Sequence, residues 1–386
     1  MKVLFSSLLC HRDVEIFKFN WFCMRAQLDK GFDFQHLILN DGSLDENDKQ
    51  SLKKLPGVIL EEDPITLYNV PKAVLLGKLE CLKRGFEKHK ADRVVVFDCD
   101  IFYLKNWEAD LRKILIDRTV VLRDWGSSIG NSLQQYRELF GVLEDATTPN
   151  CNTGIISVLS EDYIKIARTL ELHIKTPFQI MEDQGIMLAA FHGNLSYVDG
   201  IKCIINNAEY HPQLWSYFVE QRGLHLMGMR TRPDGLKDLV QRSLNSLPNF
   251  LSLSQFTPSY KYISWGLLEY EHYNFSLPLQ KIPSTCGSNW VNDGLYLHGG
   301  SHVIWPLPER CNKFTAKFMC MDTGIPSNIK EVIVNGKPFK LGDDVNIPLN
   351  GKLEIRTHDG PGTHLVFLAP KVYIDKSWPD LSLQKP

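Results

Sequence analysis

Val94-Val95-Val96-Phe97-Asp98-Cys99-Asp100-Ile101-Phe102 sets two acids directly behind an apolar, β-branched run. Such a run, with Arg93 before it, reads as a central strand covered on both faces. Residues i and i+2 of a strand point the same way, so if the strand geometry continues, Asp98 and Asp100 share a face. Two adjacent carboxylates repel unless a counter-charge sits between them. A divalent cation meets that need, and hard oxygen ligands suit Mn²⁺ or Mg²⁺, ions that share their sphere with substrate phosphates. An Asp-x-Asp pair by itself is also met in ordinary exposed turns, so the reading depends on what surrounds it.

Outward from this run, strands and helices alternate. Lys2 to Ser6 reads as a buried strand, ended by His11-Arg12-Asp13 rather than by the small residues of a cleavage site. Val14, Phe17, Trp21, Met24 and Leu28 recur at helical spacing. Phe34 to Leu39 returns to strand and stops at the turn cluster Asn40-Asp41-Gly42-Ser43. Pro71 opens a helix over 72–88, with Ala73, Leu76, Leu79, Leu82 and Phe86 on one side. Strands follow at Thr119–Leu122 and Gly154–Leu159, and helices at about 161–173 and 182–191. This alternation predicts an α/β domain with a mostly parallel sheet and helices on both faces. In such sheets ligands sit at the carboxyl ends of the strands, where Asp41 and Asp98 fall.

The pattern changes near residue 240. Residues 243–274 read as a linker or wrapping segment, and 275–386 as an all-β sandwich or jelly roll. Its strands are placed at Lys313–Cys320, Glu331–Val334, Val345–Pro348, Lys352–Thr357 and Thr363–Leu368. Asn335-Gly336, Asn350-Gly351 and Asp359-Gly360 read as hairpin turns between them. Trp290, Tyr296, His298, His302 and Trp305 leave carbohydrate binding and a plain structural role equally open for this domain.

Three further segments carry chemistry. Cys151-Asn152-Thr153-Gly154 offers a carboxamide that donates and accepts, beside a glycine that admits a ligand to the backbone. Glu182-Asp183-Gln184 opens a helix, where acids also serve the helix dipole. His225-Leu226-Met227-Gly228 supplies an imidazole for a manganese site, with Arg230 and Arg232 placed to grip a diphosphate. Each segment alone has an ordinary structural explanation; their order along one chain does not.

Together they resemble the GT-A fold glycosyltransferases, most closely the retaining enzymes of glycosyltransferase family 8. Those run strand, D-x-D, N-x-G, D-Q, then H-x-x-G-x-x-K-P. Here the matching positions are Asp98 and Asp100, Asn152 and Gly154, Asp183 and Gln184, and His225 and Gly228, over residues 1–242. The resemblance implies Mn²⁺ (or Mg²⁺) on Asp98, Asp100 and His225. It also implies a nucleotide-sugar donor, a UDP-sugar above all, and a glycan or other hydroxyl acceptor. Asp183 and Gln184 would be catalytic, and Asp41, Lys78, Cys99, Asn152, Gly154, Gly228, Arg230 and Arg232 would line the donor. Ser127 to Phe140 and Ile204 to Gln221 are the segments expected to build the acceptor site.

There are departures. The expected lysine is Thr231, and Arg232-Pro233 lies one position later. Asp41-Gly42-Ser43 and Glu182-Asp183 look instead like motifs of inverting family 2, where Asp183 would be the general base. A non-catalytic sugar-binding or scaffold protein with a degenerate transferase domain is the other alternative. A nucleotidyltransferase would carry a Gly-rich basic loop where this chain has Ser6-Ser7-Leu8-Leu9.

The formal net charge of −2 argues against nucleic acid as a partner. Nine cysteines, without a C-x-x-C pair, point to reduced thiols and a cytoplasmic setting. No stretch approaches the length of a transmembrane span.

Overall fold

The computed structural model describes residues 1–25, 35–62, 64, 73–103, 108–128, 149–175, 182–199, 201–204, 223–226, 249–253, 256, 258–262, 289–291, 294–298, 300–320, 331–357, 364–375 and 377. A seven-stranded sheet is assembled from β1 (Val3–Leu9), β2 (His36–Asn40), β3 (Val58–Glu61), β4 (Arg93–Phe97), β6 (Thr119–Ser128), β7 (Pro149–Leu159) and β8 (Ser196–Val198). Its order is β3-β2-β1-β4-β7-β6-β8. The first four strands in that order are mutually parallel; β7 runs antiparallel to both β4 and β6. Because β7 is reversed, its beginning rather than its end lies beside the end of β4.

Alternation along β4 divides the core. Val95 and Phe97 face α1 (Val14–Arg25), packing with Phe17, Trp21 and Phe22. Val94 and Val96 face α3 (Ala73–Glu87), packing with Leu79, Leu82 and Phe86. On the α3 side, α5 (Tyr163–Lys175) and α6 (Glu182–Ala190) complete the layer through Ile166, Leu170, Ile186 and Met187. On the α1 side lie α2 (Glu46–Lys53) and α4 (Glu108–Ile116), through Leu52 and Ile114. Helices thus cover both faces, as the alternation of elements requires. Gly85 lets α3 lie close on the sheet: a Cβ there would come within 2.5 Å of Val94 Cγ2.

A small second sheet joins β5 (Ile101–Tyr103), β10 (Gly223–Leu226) and β9 (Ile201–Ile204), with β10 in the middle. It sits at the end of β4.

The C-terminal region is a pair of sheets. One contains β13 (Asn289–Val291), β14 (Gly294–His298), β21 (His364–Ile374), β16 (Cys311–Cys320) and β19 (Asp344–Pro348), with β11 (Phe250–Ser252) on β21. The other runs β12 (Tyr260–Tyr262), β15 (His302–Pro306), β20 (Lys352–Thr357), β17 (Glu331–Val334) and β18 (Lys337–Lys340). Inward residues from both, among them Phe314, Phe318, Phe367, Trp305 and Ile355, share one apolar cluster with the α1 face of the first domain.

Two turn readings are resolved differently. Asn335-Gly336 closes a hairpin, with φ of 46° and 78° and Val334 facing Lys337. Asn350-Gly351 does not: β19 and β20 belong to different sheets, so this turn carries the chain across the sandwich. Turn residues specify a reversal but not which strand is met afterwards. Asp359-Gly360 lies outside the described residues. Within 243–274, read as a linker or wrapping segment, Phe250–Ser252 pairs with β21 and Tyr260–Tyr262 with β15, so the segment adds strands to both sheets.

Candidate functional site

The site forms where β4 stops. Asp98 continues the alternation of Val94 and Val96 onto the α3 face, and Lys78 of α3 meets it, Nζ to Oδ2 2.7 Å. Cys99 packs against the apolar cluster on the opposite side, where burial pushes its thiol well above the usual range. The strand does not continue through Asp100. A turn replaces it, with the Ile101 amide donating to the Asp98 carbonyl at 3.3 Å. The two carboxylates are therefore brought together by a turn, not by the pleat that strand periodicity implies.

That turn is held from beneath. Asn20, buried on α1, donates its carboxamide N–H groups to the carbonyls of Cys99 (3.2 Å) and Ile101 (2.5 Å). The Ser7 hydroxyl donates to the Phe97 carbonyl at 2.6 Å and meets His36 Nε2 at 2.9 Å. Buried polar groups persist when paired in this way. The sequence reading missed both Asn20 and Ser7; a polar residue inside an apolar helical stripe is the signal that points to Asn20.

His225 arrives through β10. It pairs opposite Ile101 of β5, so its ring reaches the acids: Nε2 lies 3.2 Å from Asp100 Oδ1 and 3.5 Å from Asp98 Oδ2. One ligand atom from each of the three residues falls within 4.8 Å of the others. Two carboxylate oxygens and an imidazole nitrogen suit a manganese ion, and the ring is only 2% exposed. Gly154 makes room for it. A Cβ at Gly154 would lie 2.7 Å from His225 Cε1, closer than atoms pack.

The strand expected from Gly154 begins earlier, at Pro149, so Asn152 as well as Gly154 lies inside β7. The strand bulges here: the partner of β6 jumps from Ile156 at Val121 to Asn152 at Leu122. Bulges re-aim side chains at functional edges. Asn152 Oδ1 accepts from the Gly154 amide at 2.8 Å, and the Gly154 carbonyl accepts from the Asp98 amide at 2.8 Å.

Asp183 opens α6 behind this bulge. It is 3% exposed, and both oxygens are engaged. Oδ2 accepts the Thr153 hydroxyl and lies 3.7 Å from Lys78 Nζ; Oδ1 accepts the Gln184 amide at 2.9 Å. Gln184 is also buried, and its carbonyl accepts from the Cys151 thiol. Lys78 thus stands between Asp98 and Asp183. Burial works against its charge, but the two carboxylates outweigh it and hold the ammonium above its ordinary range. Burial likewise raises the Asp98 carboxyl, yet Lys78 and then His225 outweigh it and hold it below the usual carboxylate range.

Asp41 sits at the end of β2, exposed, its carboxylate turned onto Ser43 N (2.9 Å) and Oγ (2.6 Å). The structure therefore joins Asp98, Asp100, His225, Lys78, Asn152, Gly154, Asp183 and Gln184 at one edge, with Cys99 facing away. Gly228, Arg230 and Arg232 lie outside the described residues, as do nearly all of the two expected acceptor segments. Among the described residues, no helix is long and apolar enough to cross a membrane.

No protein-family model matches the sequence, and no curated protein matches it. Similar solved structures are glycosyltransferases. The bifunctional glycosyltransferase WbbM is 12% identical over 64% of this chain, with a TM-score of 0.46. This chain spans half of WbbM's length. The galactosyltransferase LgtC, solved with donor and acceptor sugar analogues, is 14% identical, covering 64% of this chain and 96% of its own, with a TM-score of 0.42. Mouse xyloside xylosyltransferase 1 is 11% identical, covering 59% and 98%, with a TM-score of 0.39.

Proposed function

We propose that this chain is a glycosyltransferase that moves a sugar from a nucleoside-diphosphate sugar, a UDP-sugar above all, to a hydroxyl acceptor with retention of anomeric configuration. The observation that carries this reading is the convergence of Asp98, Asp100 and His225 at the sheet's carboxyl edge, with Lys78 and Asp183 directly behind. Mn²⁺ held by these three residues would supply Lewis-acid stabilisation of the departing diphosphate.

The chain's own residues do the rest. Lys78 adds positive charge beside the phosphates. Asn152 and Gly154 keep the ring of His225 and the Asp98 amide in place. In the transfer, the bond from the anomeric carbon to the diphosphate oxygen breaks, and a bond to the acceptor oxygen forms on the same face. The acceptor proton passes to the leaving phosphate oxygen. Asp183 and Gln184 orient and stabilise the electron-poor sugar.

Retention is favoured over inversion because Asp183 is buried, and its oxygens already accept from the Thr153 hydroxyl and the Gln184 amide. A general base must reach the acceptor hydroxyl within hydrogen-bond distance. Arg230 and Arg232 remain the residues proposed for the diphosphate.

Thermal shift with UDP, GDP, CMP and dTDP, with and without Mn²⁺, tests the reading. A Mn²⁺-dependent rise with one nucleotide, abolished in Asp98→Ala/Asp100→Ala, is expected and names the donor base. A folded protein that no nucleotide stabilises would sink it and leave the scaffold alternative. The anomeric configuration of the product, read by proton NMR, separates retention from inversion.

A further inference from the structure

The helix α1 touches the metal-binding turn on one side and the C-terminal β-domain on the other. Asn20 clamps the carbonyls of Cys99 and Ile101. Its neighbour Phe19, 1% exposed, packs on Phe102, ring centroids 6.1 Å apart. Phe102 is in β5, opposite Leu224 and next to the Ile101–His225 pair. The outer side of Phe19 is covered from the C-terminal domain: the Arg310 guanidinium carbon stands 5.2 Å from the ring centroid. Lys18, 3% exposed, pairs with Glu15 at 2.7 Å and lies 4.0 Å from Glu309.

The Glu309–Arg310 corner is itself fixed. Arg310 Nη1 donates to the carbonyls of Asp375 (3.2 Å) and Ser377 (2.9 Å), and the Asp375 amide donates to the Arg310 carbonyl at 2.8 Å. A guanidinium set over an aromatic ring and tied to two carbonyls is a fixed contact. It bears on a helix whose next residue holds the turn carrying Asp98 and Asp100.

We propose that Arg310 is a positioning residue for the transferase site, and that the C-terminal domain is a fixed part of that site rather than a separable sugar-binding module. The route is Arg310 to Phe19, then Phe102 and Asn20 together onto residues 98–103 and, through the β5–β10 pairing, His225. Outer partners of metal ligands set ligand geometry in this manner. The role in metal binding rests on the function proposed above; the effect on the turn does not.

The test uses the full chain and three variants. Arg310→Gln removes the cation over Phe19, Arg310→Lys keeps one there, and Val345→Ala opens a cavity in the sandwich core on the edge strand β19. Hydrogen exchange of residues 98–103 is read without metal, and Mn²⁺ affinity is read by titration of the free ion. Arg310→Gln is expected to lose protection at 98–103 and to bind Mn²⁺ roughly ten-fold more weakly. Arg310→Lys should recover part of both losses, and Val345→Ala should show neither despite a lower melting temperature. Unchanged exchange and affinity in Arg310→Gln, or the same losses in Val345→Ala, would overturn the proposal. Loosened exchange in a protein whose wild type takes up no Mn²⁺ would keep Arg310 as a positioning residue and remove the metal from the proposed function.

Discussion

Among the described residues, two places bring a histidine and two carboxylates within 4.8 Å: His225 with Asp98 and Asp100, and His11 with Asp45 and Asp48. Their donor sets are the same, but their circumstances differ. Asp45 caps α2, its carboxylate accepting from the Asp48 amide at 2.8 Å, and the Asp48 carboxylate accepts in turn from the Asp45 amide at 3.1 Å. Half-buried His11 closes on Asp48 at 2.5 Å. That group is a capping box with a histidine attached, and local helix energetics explain it. The Asp98 group has no such local use. It ends a buried strand, is backed by a half-buried lysine and a second, buried carboxylate, and has a glycine where any side chain would displace the histidine. Composition of a cluster is thus a weaker signal than the other duties of its members.

The largest effect that would sharpen this contrast is on turnover. Asp98→Asn/Asp100→Asn is expected to lower kcat/KM for sugar transfer roughly 10³-fold, while Asp45→Asn/Asp48→Asn leaves it within a few-fold. Steady-state assays on both pairs decide the matter; equal losses would erase the distinction.

Lys78→Met comes next. It leaves Asp98 and Asp183 without their shared counter-charge, and urea unfolding should report a loss of roughly 3 kcal/mol in metal-free protein.

Gly154→Ala should cost about 2 kcal/mol through the forced contact with His225. Mn²⁺ affinity should fall along with melting temperature; a loss of stability alone would mean that the ring moves without disturbing the ligands.

A third histidine gives the pH dependence. His36 lies against Phe17, centroids 5.0 Å apart, and burial holds its pKa down at about 3, against an ordinary 6.5. The folded ring stays neutral while the unfolded ring takes a proton below 6.5. Stability is therefore complete above that pH and falls as pH drops toward 3. Between pH 7 and pH 5 the loss is about 2 kcal/mol, and His36→Gln should flatten it in paired urea titrations.

The smallest change belongs to the other cluster. Asp45→Ala should cost about 1 kcal/mol of stability by removing a helix cap, with Mn²⁺ affinity unaltered.

Much of the first domain was legible because its signals are local. The apolar run before Asp98, the stripe on α3 and the paired residues at 152, 154, 183 and 184 lie within single elements whose burial fixes their periodicity. The small sheet β5-β10-β9 was not legible. Its strands are three or four residues long, and short apolar runs carry no period. β11 and β12 hid in a stretch of Ser, Pro and aromatics for the same reason, and Asn350-Gly351 read as a hairpin although it crosses between sheets.

By itself, then, the sequence determined an α/β domain followed by a β-rich one, and which residue types would gather at the end of β4. Side-chain periodicity records which face is buried, and turn residues record where the chain reverses. Tertiary structure alone decided that β7 is antiparallel and that a turn clamped by Asn20 unites the two acids. It also set His225 opposite Ile101 and brought Arg310 of the second domain onto Phe19. These are choices of partner between distant segments. Hydrogen-bonding strand edges and apolar faces are generic, so which ones meet is settled only when the whole chain packs.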